Sequence, residues 1–123
     1  MKLYRVIDPK FTQALNELVS LPVSVAFAYK LTDLMEKVES ECKKWRRARD
    51  MLLQKYGEKD KAGKLKTTKD KTQYVMKDRA AFDKEYDELI NLDVDITKIK
   101  LDDVKDLKLS AKSVAQLKAL IVP

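Results

Sequence analysis

The 123-residue chain contains no histidine and a single cysteine, Cys42. The first absence removes His-based general acid–base chemistry, Ser-His-Asp and Cys-His nucleophile pairs, and histidine-ligated metals. The second forbids an internal disulfide and any thiolate zinc site, which needs several ligands, and it fits a reducing compartment. Only two glycines and three prolines occur, so tight turns are few and a many-stranded β fold is disfavoured. Unbroken apolar runs last only a few residues, too short to cross a bilayer. The opening MKLYRVIDPK has no apolar core of signal-peptide length, and Asp8-Pro9 interrupts it. The expectation is a protein made and kept in a cytoplasm, with no membrane association.

Apolar residues are nevertheless plentiful: 45% of the chain is hydrophobic beside 37% charged, which argues for one folded domain over residues 1–123. Tyr4, Val6 and Ile7 suggest a short N-terminal strand. Asp8 suits an N-cap and Pro9 a first helical position, and Phe11, Ala14, Leu15, Leu18 and Val19 follow at helical spacing, predicting a helix over 9–20. Leu21-Pro22 ends it. Phe27, Leu31, Leu34, Val38, Cys42, Trp45, Ala48, Leu52 and Tyr56 then step by three or four residues, predicting one long helix from Val23 to Tyr56, with Gly57 as its terminating glycine.

A polar connector, 57–78, follows. Asp60 to Gly63 reads as a turn, and Lys64–Thr68 with Thr72–Met76 as a small hairpin around Lys69-Asp70-Lys71. Asp78 caps a helix over 79–91 that carries Phe82, Tyr86, Leu89 and Ile90 on one face. Alternation of Leu92, Val94 and Ile96 with polar residues predicts a strand within 92–101. A helical turn near Asp102–Leu107 precedes a C-terminal helix capped by Ser110, with Val114, Leu117, Leu120 and Ile121 inward.

The fold class is therefore α+β, mainly α. A long central helix is packed by two shorter helices in helical-hairpin fashion, with small β elements and a C-terminal helix. The long helix would measure about 50 Å, against a radius of gyration of about 14 Å for a compact domain of this size. Either the shorter helices cover its stripe in two sections, or part is left bare for another chain. An elongated hairpin with a protruding basic tip is the expected outline.

The order of "LPVSVAFAYKL", a long charged helix ending "ARDMLLQKYGEKDKAGK", "FDKEYDELINLDVDITKIKLDDV" and a closing "LS…LKALI" resembles a family of small uncharacterised bacteriophage and prophage proteins. The resemblance covers most of the chain without a diagnostic motif. It implies a phage gene and a non-enzymatic accessory role, and it brings no catalytic or ligand residues.

Motifs with a chemical meaning fail on context. Asp93 to Thr97 (DVDIT) matches the D-x-D-x-T of aspartyl-phosphate phosphotransferases, but a helix precedes it and too little chain follows to supply that fold's further Lys and Asp. As a calcium loop it has Lys98 where glycine is needed and Val104 where the bidentate Glu belongs. AGKLKTT lacks the spacing of a phosphate loop. The pairs Asp83/Asp87 and Glu85/Glu88 follow from helical spacing and are expected on solvated faces. No catalytic, cofactor-binding or metal-binding residues are assigned.

The charge distribution is the functional lead. Lys43 to Arg79 holds 14 Lys/Arg against 5 Asp/Glu, and the rest of the chain 12 against 15. The candidate interaction surface is Lys43, Lys44, Arg46, Arg47 and Arg49 on the long helix with Lys59, Lys61, Lys64, Lys66, Lys69 and Lys71 on the connector. Such a field attracts phosphate backbones or acidic protein surfaces. Trp45, Tyr56 and Tyr74 lie within it as stacking groups, although Trp45 and Tyr56 fall on the inward stripe. The helix cations spread over more than one face, unlike a groove reader, and no nucleic-acid-binding motif is present. The favoured reading is a non-enzymatic module that binds a host or phage protein, or a second copy of itself. The alternative is a nucleic-acid binder using residues 43–79.

Overall fold

Six helices and two short strands run in the order α1 (Leu3–Val6), α2 (Pro9–Ser20), α3 (Val25–Tyr56), α4 (Arg79–Ile90), β1 (Ile99–Lys100), α5 (Leu101–Val104), α6 (Ala111–Leu117) and β2 (Ile121–Val122) in the computed structural model, which describes residues 1–123. The architecture is α+β, mainly α, around a 32-residue central helix.

Each main helix begins where a side chain accepts a hydrogen bond from an otherwise unpaired backbone N–H. Lys10 N donates to Asp8 Oδ1 at 2.9 Å ahead of α2, with Pro9 in the first turn. Ala81 N donates to Asp78 Oδ1 at 3.1 Å, and Ser113 N to Ser110 Oγ at 3.2 Å. Ser24 does the same for α3, accepting from Phe27 N at 3.2 Å, so the helix starts just after this hydroxyl and not at Val23.

Several local expectations are corrected. The N-terminal segment forms a helical turn because Leu3 and Val6, three residues apart, are both buried while Tyr4 is exposed. A strand would send Tyr4 and Val6 to the same side. Only the antiparallel bridge Lys2–Asp93 remains of the expected strand, with Val94 N donating to Met1 O at 2.8 Å. The 92–101 segment is likewise mostly without a ladder. Its buried residues, Ile96 and Ile99, are three apart, and regular pairing is confined to Ile99–Lys100 running parallel to Ile121–Val122. Val114 faces out on α6, whereas Leu117 and Leu120 are fully enclosed.

The chain divides into two compact units, one of residues 1–42 with 93–123 and one of residues 43–92. Almost the whole apolar core lies in the first. Phe11, Leu15 and Leu18 of α2 and Phe27, Leu31, Leu34 and Val38 of α3 are buried there with Ile99, Val104, Leu117 and Leu120. The closest helix pairing is α2 with α6. Glu17 joins them: its carboxylate accepts from Ser110 N at 2.7 Å, from Ser110 Oγ at 2.9 Å, and from Ser113 Oγ.

These bonds, led by the Ser113 hydroxyl, hold the Glu17 carboxyl below its ordinary range. A lowered folded-state pKa stabilises the fold above the ordinary glutamate value and ceases to do so as pH falls through the folded one. Glu17→Gln is therefore expected to lower the melting temperature at neutral pH, and the gap from wild type should close below about pH 4. Thermal melts of both proteins across pH 3 to 7 check this.

Candidate functional site

Residues 43–92 carry the charge asymmetry, and their geometry starts from the connector. No regular strand forms between Gly57 and Met76. Instead three extended segments meet in a closed ring of backbone hydrogen bonds. Glu58 N donates to Val75 O at 2.8 Å, Val75 N to Lys66 O at 2.9 Å, and Lys66 N to Glu58 O at 2.8 Å. The expected hairpin is present in the bridge Thr67–Tyr74, and residues 57–59 close on both of its arms. Two carboxylates fix the turns. Asp60 Oδ1 accepts from Ala62 N and Lys64 N, with Gly63 at φ +80°. Asp70 Oδ1 accepts from the Thr68 and Thr72 hydroxyls, which hold its carboxyl below the ordinary range, and Lys71 takes φ +59°.

Gly57 is needed for a reason other than the expected one. It has no positive φ. Its N–H donates to Leu53 O at 2.8 Å, and a Cβ there would stand 2.4 Å from that oxygen and 2.6 Å from Leu65 Cδ2. Glycine thus allows the connector to close against the end of α3.

The apolar stripe of α3 changes character along its length. Phe27, Leu31, Leu34 and Val38 are buried, whereas Cys42, Trp45, Ala48, Leu52 and Tyr56 are only half-buried. Within 43–92 the one buried apolar side chain is Leu53. Two concave surfaces flank it. A shallow trough of about 520 Å³ is lined by Ala48, Met51 and Leu52 of α3 and by Leu89 and Leu92, with Lys55, Glu85 and Glu88 at its edges. Met51 is 72% exposed and Leu92 54%. Lys55 Nζ meets Glu85 Oε1 at 3.1 Å across it. The Tyr56 hydroxyl, and after it Lys55, lower the pKa of Glu85, while Tyr56 and then Glu85 raise that of Lys55. The second surface, a cleft of about 360 Å³, is lined by Arg49 and Leu53 of α3, Tyr74 and Met76 of the connector, and Arg79, Phe82 and Tyr86 of α4. Phe82 and Tyr86 stack with centroids 5.8 Å apart, and the Arg79 guanidinium lies 5.7 Å from the Phe82 ring.

The predicted cations divide between these surroundings. Lys43, Lys44, Arg46 and Arg47 are exposed on α3. Arg49 is half-buried, lies 4.9 Å above the Trp45 ring, and pairs with Asp50 at 3.4 Å. Lys59, Lys61, Lys64, Lys66, Lys69 and Lys71 are all exposed on the connector, with Lys66 near Glu58 at 4.0 Å. Of the predicted residues, Arg49 enters the cleft, where Tyr74 joins it. Met51, Leu89, Leu92, Arg79, Phe82 and Tyr86 were not singled out as binding residues by sequence. One signal for the trough was present: Met51-Leu52-Leu53 places three apolar residues in succession across about 200° of helix circumference, more than one seam can bury. No group of three or more carboxylate or cysteine side chains is placed to hold a metal ion, and no helix is long and apolar enough to cross a membrane.

Comparison of the chain with protein families, with curated proteins and with solved structures finds no match.

Two substitutions test this local architecture. Gly57→Ala forces the connector away from α3 and is expected to cost about 1–3 kcal/mol, read as a lower urea midpoint. Trp45 Nε1 and Arg49 Nε are enclosed without hydrogen-bond partners, an uncompensated polar burial. Trp45→Phe removes one of these donors and keeps an aromatic ring under Arg49, so it should be neutral within about 0.5 kcal/mol or stabilising. Trp45→Ala should cost about 1–3 kcal/mol by urea unfolding.

Proposed function

We propose that this protein is a non-enzymatic interaction module that binds another protein chain through the trough of residues 43–92. The observation that carries the reading is the imbalance of burial. A 50-residue unit encloses one large apolar side chain, Leu53, while Met51 and Leu92 remain open beside Ala48, Leu52 and Leu89. A unit of that size holds a marginal core at best, and covering this surface with a partner supplies the missing burial. The surrounding cations favour association and keep the uncovered surface soluble. The resemblance to small phage proteins supports an accessory role of this kind, exercised on a host or phage component in the host cytoplasm or in the virion.

A photo-reactive amino acid at Met51 or Leu92, activated in cells, is expected to give covalent adducts of discrete mass. The same residue at exposed Lys112, outside this unit, should give none. Equal labelling at all three positions, or at none, rejects the trough as a binding surface.

A second reading follows from the other cleft. Tyr74, Phe82 and Tyr86 beside Arg49 and Arg79 combine ring faces with guanidinium groups, the chemistry that takes up unpaired bases, and the connector lysines supply the field. On this reading a single-stranded oligonucleotide shifts in a gel at low salt, with log affinity falling by about 0.7 per phosphate contact for each tenfold rise in salt. Tyr74→Ala together with Arg79→Glu removes the shift. No shift for the wild-type chain at low salt excludes the reading.

A further inference from the structure

The trough has banks of opposite charge, and this selects an occupant. The charged residues that line it are Lys55 on the α3 side and Glu85 and Glu88 on the α4 side. Helical spacing sets Arg47 four residues before Met51, on the same flank of α3, and its side chain is exposed. Glu88 edges the trough on the α4 side, also exposed. An apolar strip therefore runs between a cationic margin and an anionic one.

We infer that the trough is closed by the trough of a second copy of this chain. A two-fold axis directed along the strip turns the cationic margin of each copy toward the anionic margin of the other. Met51, Leu52, Leu89 and Leu92 of the two copies then cover one another. Arg47 of each faces the Glu88 side of its partner, so the two charge sets are satisfied twice over. A uniformly acidic or uniformly basic partner would satisfy one margin and oppose the other. A two-fold axis set across the strip would bring like charges together. Self-complementary pairing with the axis along the strip leaves neither margin opposed, and it needs no second kind of chain.

This inference rests on the trough being an interaction surface and adds the identity of what covers it. Sedimentation equilibrium of the full chain from about 1 to about 500 µM supplies the test. Wild-type protein is expected to pass reversibly from monomer to dimer, more readily at low salt. Arg47→Glu alone and Glu88→Lys alone should each weaken the dimer by about tenfold or more, with melting curves unchanged at concentrations where the wild type is monomeric, because both sites are exposed. An equimolar mixture of the two variants should recover association, since each heterodimer contact then pairs opposite charges. A wild-type chain that stays monomeric throughout overturns the inference. So does a dimer indifferent to both substitutions, which would lie at another surface. In either case adducts at Met51 of a mass other than twice the chain preserve the interaction reading, whereas absence of adducts removes both.

Discussion

The structure depends on one mismatch: α3 carries an apolar stripe longer than the core available to receive it. Burial of such a stripe is the main favourable term in folding. Along residues 27–38 it is met in full: Phe27, Leu31, Leu34 and Val38 are all buried. Beyond Cys42 the helix continues without interruption, but its neighbours are one 12-residue helix and a connector stabilised mainly by backbone hydrogen bonds. Neither is large enough to enclose the remaining apolar residues. The half-buried state of Ala48 and Leu52 and the exposure of Met51 follow from that shortage.

Electrostatics is arranged around the same limit. Part of the positive charge is paired within the segment, Arg49 with Asp50, Lys66 with Glu58 and Arg79 with Asp83; Arg46 and Arg47 stand exposed on α3, and Lys55 is drawn into contact with Glu85 across the trough. A surface ion pair of that kind contributes little on its own. Its consequence is geometric, since it ties α4 to α3 at one end of the strip and leaves the Ala48 and Leu92 end open. Trp45 Nε1 and Arg49 Nε are likewise enclosed in this unit without hydrogen-bond partners.

The helices were legible because their signals are local. Asp8, Asp78 and Ser110 mark starts within three residues of where they act, and the period of the long stripe needs no knowledge of what covers it. Ser24 was obscured by Pro22 and Val23, which read as the break and the restart. The N-terminal strand was misplaced, and the 92–101 strand is confined to Ile99–Lys100, because a short alternating run does not distinguish a ladder from an extended segment whose buried residues stand three apart, as Ile96 and Ile99 do. The union of α2 with α6 rests on Glu17 reaching Ser110 and Ser113 across more than ninety residues of sequence, a link no periodicity encodes. For the site, the basic residues were evident from composition. The trough and the arginine–aromatic cleft were not, because each combines side chains from elements whose facing surfaces only the folded chain brings together.

The ring formed by Glu58, Lys66 and Val75 engages only main-chain atoms. Apart from Asp60, Asp70 and the two threonines that fix the turns, the connector's polar side chains are not needed to hold its outline. Its lysines can drift in identity and sign while the backbone path persists. A lineage could re-address this surface to a new target by ordinary point changes without re-inventing its scaffold.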